Sequence, residues 1–198
     1  MVTLYVEGSY IARQLAQNNQ NIVHLASRTP YPLHDRIVHE SQTDASLLST
    51  RFGAPLRVDV TKPDTLRVAF ESANTIISLV GVLHGTPRQF EEVQFKGAQN
   101  VARAAREAGA RLIHVSAIGA DPASKPLPSL DEYSFITVSP GSIPYFRTKG
   151  LAELSVHKEV PEALVVRPSL VFGPGDGFFA VSLTILVFFP SPTATWSN

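Results

Sequence analysis

Short apolar runs alternate with helix-period stretches along most of the chain. Val2-Thr-Leu-Tyr-Val6 reads as a strand and Tyr10 to Gln17 as a helix, and Asn21-Ile-Val-His-Leu25 reads as a second strand. A polar stretch follows, with a helix near Asp44 to Arg51. Leu56-Arg-Val-Asp-Val60 is the third strand, and Pro63 then falls in the first turn of a helix, where its missing N–H costs nothing. Asn74 to Val80 is a near-continuous apolar strand. Phe90 to Ala108 is the longest helix; Val101, Ala104, Ala105 and Ala108 recur at helical spacing before Gly109 ends it. Arg111 to Ser116 is the fifth strand, Tyr145 to His157 a further helix, and Ala163 to Arg167 the sixth strand.

Apolar strands separated by helices imply βαβ units and a parallel sheet covered on both faces. With right-handed crossovers the expectation is an α/β, doubly wound, Rossmann-like fold, incomplete at its C-terminus. A single domain over residues 1–176 is expected, interrupted by an irregular Pro/Ser-rich insert at about 121–143. Residues 177–198 read as an atypical tail, the remnant of a missing C-terminal region. Loops as long as the insert are uncommon within a compact domain.

Composition narrows the classes. A chain of 198 residues, 44% apolar and 17% charged, is long enough for one well-cored globular domain. Lys plus Arg and Asp plus Glu balance at 17 each, so no net field points to nucleic acid or an anionic membrane. The absence of cysteine removes disulfides, thiolate metal sites and cysteine nucleophiles. The six histidines lack metal-ligand spacing, so no metal site is expected. The apolar run Phe178 to Phe189 falls short of the roughly 20 residues of a membrane helix and reads as core, with no transmembrane segment. Neither a signal peptide nor a transit peptide is visible at the start.

In Tyr145-Phe-Arg-Thr-Lys149 a tyrosine and a lysine four apart share one helix face. A nearby ammonium favours the phenolate, as a proton-transferring tyrosine requires, and the same lysine reaches a ribose hydroxyl. Ser116 ends the fifth strand, and the carboxyl ends of the strands line the ligand crevice of a doubly wound sheet. Asp59, Gly81 and the segment beginning Arg167-Pro168-Ser169 lie along the same edge. Arg28 follows the second strand, where an adenosine ribose would sit, and a cation there suits a 2′-phosphate, which tilts a dinucleotide cofactor from NAD(H) towards NADP(H).

With those residues in place, the chain resembles the extended or atypical short-chain dehydrogenase/reductase superfamily. Four segments carry the resemblance to one branch: TIISLVGVLHGT, FKGAQNVARAAREAGARLIHVSAIGADP, PYFRTKGLAE and EALVVRPSLVFGPGDGFF. That branch contains the NAD(P)H-binding accessory subunit of mitochondrial complex I (alpha subcomplex subunit nine), bacterial relatives, and a fungal protein associated with coenzyme Q synthesis. The resemblance implies Tyr145, Lys149 and Ser116 as the active-site set. It implies cofactor contacts from Asp59 and Val60 at the adenine end, Leu79, Val80 and Gly81 along the cofactor, and Arg167, Pro168 and Ser169 beside the nicotinamide. It also implies a mitochondrial protein on the matrix side of the inner membrane, working as an accessory or assembly component with complex I or coenzyme Q biosynthetic subunits as partners. An active NAD(P)-dependent oxidoreductase is the alternative.

The opening departs from the family's G-x-x-G-x-x-G turn. Gly8, Ser9, Tyr10 and Ile11 would lie at the cofactor, but the three glycine positions fall on Val6, Ser9 and Ala12. A β-branched residue at the first resists positive φ and adds bulk under the phosphates, so weakened cofactor binding is expected. The altered opening, the segment Lys125 to Gly141 and the tail share one expected origin, a truncated or mis-spliced gene model.

Overall fold

The computed structural model describes residues 3–18, 20–32, 34–35, 52–82, 85–124 and 142–169. The expected helix at Asp44 to Arg51, the core of the insert (125–141) and everything after residue 169 lie outside them. Eleven segments are named in chain order. They are α1 (Thr3–Gln17), β1 (Ala26–Ser27), β2 (Leu56–Arg57), α2 (Pro63–Phe70), β3 (Thr75–Ser78), α3 (Pro87–Gln89), a π-helical stretch (Phe90–Lys96), α4 (Gly97–Glu107), β4 (Arg111–Val115), α5 (Ser142–Glu159) and β5 (Leu164–Val166). All strand pairs are parallel, as βαβ connections require.

Among the described residues the strands form two sheets, β1-β2 and β3-β4-β5. Ala26 pairs with Leu56, Ile76 with Leu112, and His114 with Val165. Around β1, Val23 bridges Phe52, and Val58 N–H donates to Ser27 O at 2.9 Å, so pairing runs further than the formal strand. The larger core lies between the β3-β4-β5 sheet and α2, α4 and α5, built from Leu66, Phe70, Ile76, Val101, Leu112 and Val156. Ala98, Ala102, Ala105 and Ala152 are fully buried there, and their small side chains let α4 and α5 approach closely. A second, smaller cluster joins Ala12 of α1 to Leu25, beside Val23 and Phe52. Leu25 and Val58 fall on opposite faces of the β1-β2 pair by the strand period, so helices cover both sides, as a doubly wound sheet demands.

The expected strand at Val2 to Val6 is corrected: helix α1 already includes Thr3 and continues unbroken to Gln17. A strand-to-helix turn here needs residues that accept positive φ, and Val6, Ser9 and Ala12 offer instead a backbone content with right-handed helix. The helical ladder therefore runs back through the segment meant for the first strand. In a doubly wound sheet of order 3-2-1-4-5-6 that strand is the central one, which explains why the sheet is divided between β1 and β3.

The helix expected from Phe90 begins at Pro87. Thr86 and Gln89 form a reciprocal capping box, with Gln89 N–H donating to Thr86 Oγ1 at 3.2 Å and Thr86 N–H to Gln89 Oε1 at 2.9 Å. Gly109, at φ 65°, closes the far end. Gly150 of α5 sits where a Cβ would strike the backbone of Asp121 and Pro122, so the segment after β4 lies directly on this helix.

Candidate active site

The carboxyl ends of β3, β4 and β5 meet the N-terminal half of α5, and most expected site residues gather there. Lys149 is buried at 4% exposure, and its Nζ donates to the carbonyls of Val80 (3.2 Å) and Val115 (2.9 Å). The ammonium thus bridges the exits of two neighbouring strands. Gly81 leaves room for it: a Cβ at that position would lie 3.3 Å from Lys149 Nζ. Ser116 follows β4, is buried at 3% exposure, and donates its N–H to Val166 O at 2.8 Å. Pro168 O accepts from Ile118 N–H at 2.8 Å, extending the stitching between the β4 and β5 exits, with Ser169 exposed beyond.

Tyr145 stands one helical turn before Lys149 on α5. Its ring lies edge-on to Phe90, with centroids 6.4 Å apart, and to Phe146 at 5.3 Å. Its backbone is set by Gln94, which sequence reading passed over. Gln94 is fully buried in the π-helical stretch and donates from Nε2 to Tyr145 O (2.8 Å) and Thr148 Oγ1 (2.9 Å). Its Oε1 accepts from Val82 N–H at 3.1 Å, tying the loop after β3 to α5. The signal was present: Gln94, Ala98 and Val101 recur on one helical face, so a polar residue there occupies a core position.

Two more polar residues lie deeper. His114 alternates with Ser116 on β4 and pairs in register with Ser78 of β3, so the three side chains share one sheet face. His114 is 1% exposed, and burial, reinforced by the Lys149 charge, holds its imidazole down at about 4. Glu153, one turn after Lys149, is also buried. Burial pushes its carboxyl up, but the Arg167 hydrogen bonds and charge outweigh that and hold it below its ordinary value.

The residues expected at the adenine end lie around β1 and β2. Asp59 accepts from Thr61 N–H (3.0 Å) and Thr61 Oγ1 (2.7 Å), and those bonds, with the charges of Lys62 and Arg28, hold its carboxyl below the usual range. Val60 packs toward Gly97, and its carbonyl accepts from Asn100 Nδ2 at 2.9 Å. Arg28 is exposed just past β1. Leu79 meets α1: a Cβ on Gly8 would lie 3.3 Å from Leu79 Cδ1. Gly8, Ser9, Tyr10 and Ile11 are all inside α1, with Tyr10 41% exposed and under the Arg13 guanidinium at 6.0 Å.

A dinucleotide fits the two ends unequally. Gly81 with Lys149 forms a cradle that any side chain would crowd, whereas helix α1 occupies the stretch whose turn would lie under a pyrophosphate. Among the described residues no group of three or more His, Asp or Glu side chains could hold a metal ion, and no helix is long and apolar enough to cross a membrane.

Parallel strands and crossover helices define a Rossmann-type α/β fold. The model of the NAD dependent epimerase/dehydratase family matches residues 6–185, and the chain belongs to that family. It is 32% identical over 125 residues to the mouse (Mus musculus) mitochondrial NADH dehydrogenase [ubiquinone] 1 alpha subcomplex subunit 9, covering 62% of this chain and 29% of that protein. It is 31% identical over 172 residues to a ceramide reductase of Caulobacter vibrioides, covering 85% of this chain and 44% of the reductase. The chain thus spans less than half the length of these curated relatives. Among solved structures, the UDP-glucuronic acid 4-epimerase of Bacillus cereus with NAD superposes with a TM-score of 0.58 at 21% identity, over 84% of this chain and 54% of the epimerase. The dTDP-4-dehydrorhamnose reductase of Bacillus anthracis with NADP gives 0.53 at 16% identity, over 84% and 59%.

Proposed function

We propose that this chain is an NAD(P)(H)-binding, short-chain-dehydrogenase-like protein that serves as an accessory or assembly component of mitochondrial complex I or of coenzyme Q synthesis, with impaired cofactor binding in this form. One observation carries the reading. The nicotinamide-side residues Gly81, Ser116 and Lys149 are gathered at the strand exits, while α1 replaces the strand and turn that would hold the pyrophosphate. A protein with that division keeps a shaped surface more readily than a turnover cycle. Similarity to the mitochondrial NADH dehydrogenase [ubiquinone] 1 alpha subcomplex subunit 9 of mouse, rat and Arabidopsis supports the partner and a mitochondrial location. Arg28 near Asp59 supports a lean to NADP(H), since a guanidinium suits a 2′-phosphate.

The second reading is an active NAD(P)-dependent oxidoreductase, favoured by the ceramide reductase match across most of this chain. Tyr145 would then exchange a proton with a substrate carbonyl or hydroxyl, Lys149 would favour the phenolate, and Ser116 would orient the oxygen. Cells lacking the protein, complemented with Tyr145→Phe, distinguish the two. The accessory reading predicts full rescue, and purified protein that reduces no carbonyl substrate. Loss of rescue together with turnover abolished by Tyr145→Phe would establish the enzyme.

A further inference from the structure

We propose that Arg167 is a positioning residue that acts through Glu153, and that its guanidinium is not a contact to the dinucleotide. Arg167 is the first residue after β5 and opens the segment Arg167-Pro168-Ser169. Its Nε donates to Glu153 Oε1 (2.9 Å) and Oε2 (3.1 Å), and its Nη2 to Oε2 (2.5 Å). That is a planar fork engaged on both oxygens of one carboxylate, a geometry that fixes direction as well as distance. The Glu153 side chain is 9% exposed and the Arg167 side chain 53%, so the buried partner is the acid and the guanidinium lies over it as a strap.

The strap joins two parts of the site. Glu153 stands one turn beyond Lys149 on α5, and Lys149 spans the exits of β3 and β4. Arg167 leads directly into Pro168, whose carbonyl is held by Ile118 N–H, while Val166 O is held by Ser116 N–H. The Arg167–Glu153 pair therefore sets the height of the 167–169 segment over the helix that carries Tyr145 and Lys149. With Nε and Nη2 engaged on both carboxylate oxygens of Glu153, Arg167 serves a dinucleotide site by seating this segment. This rests on reading the strand exits as the dinucleotide edge; the strap itself does not.

Two measurements on Glu153→Gln, Arg167→Gln and the double variant separate these layers. In hydrogen exchange on the full chain, the Ser116 and Ile118 amides report whether the β5 exit is seated. Each single variant is expected to speed their exchange by roughly tenfold, the scale of one lost charge-assisted bond, and the double variant no further. Arg167→Lys, which keeps the charge but not the fork, is expected to behave like Arg167→Gln. Unchanged amides in Arg167→Gln, or single effects that add in the double variant, would overturn the strap. In NADPH and NADH titrations, Arg167→Gln is expected to change affinity only while Glu153 is present. An equal loss with and without Glu153 would make Arg167 a cofactor contact and overturn the proposal. A wild-type chain that binds neither dinucleotide agrees with the missing phosphate cradle, and the exchange data alone then decide the strap.

Discussion

His114 is the residue most exposed to a pH test because its burial is nearly complete while its charge state is open. The groups facing it are Lys149 and Glu153 from α5, with His157 further along the same helix. In the unfolded chain the imidazole takes a proton near pH 6.5; in the fold it does so only near 4. Stability is therefore lost as the pH falls from 6.5 toward 4, by an amount on the order of 3 kcal/mol. The upper part of that window is free of the carboxylates, since Glu153 and Asp59, both lowered from ordinary values of 4.5 and 3.8, contribute until the pH falls below those values. Chemical denaturation between pH 7 and 5 is predicted to show a falling stability that His114→Gln flattens. An identical slope in both proteins would contradict the assignment. Lys149 gives a second residue-scale test: Gly81→Ala sets a methyl 3.3 Å from its Nζ and is predicted to weaken dinucleotide affinity severalfold, read by calorimetric titration, with little change in melting. His114, Glu153 and Gln94 were hard to read in advance for a common reason. A polar side chain in an apolar period resembles an irregularity, and only the neighbours brought by the fold give it a partner. Tyr145, Lys149 and Ser116 were readable as candidates because strand exits and a four-residue helical spacing place them before any partner is known.

At the scale of elements, the strands from Leu56 onward were legible, because β-branched apolar runs flanked by helical patterns have one economical solution in a parallel sheet. Each is shorter in the structure, since a run's ends leave the ladder to form the ligand edge. The first element was misread. Val2 to Val6 is an apolar run too short for its period to separate strand from helix, and the missing glycines settled the matter through the backbone. The start of α3 was missed because its capping box lies in Thr86-Pro87-Arg88-Gln89, ahead of the apolar periodicity. Packing between elements also gives a prediction. Gly150→Ala drives a methyl into the Asp121–Pro122 backbone and is expected to cost about 1–3 kcal/mol, measurable as a lowered melting temperature; an unchanged melt would mean that the segment after β4 does not rest on α5.

For the whole molecule, the divided sheet is the feature with the widest consequences. The β3-β4-β5 unit and its helices hold most of the larger core, the buried lysine and the Arg167–Glu153 strap, whereas β1-β2 reaches that core through Val58 and Val60 on one face and meets a smaller cluster under α1 on the other. Family membership and fold follow from the first unit together with the matched span. Asp59 and Arg28, proposed for the adenine end, stand on the second. Between them, where a pyrophosphate would lie, α1 supplies a continuous helix in place of a glycine turn. On the proposed reading, this chain gathers Gly81, Ser116 and Lys149 at the strand exits without a turn that seats a pyrophosphate. Titration of the purified chain with NADPH and with NADH tests it most directly. Affinity weaker than micromolar is expected for both, with NADPH the better of the two; micromolar binding of either would overturn that reading.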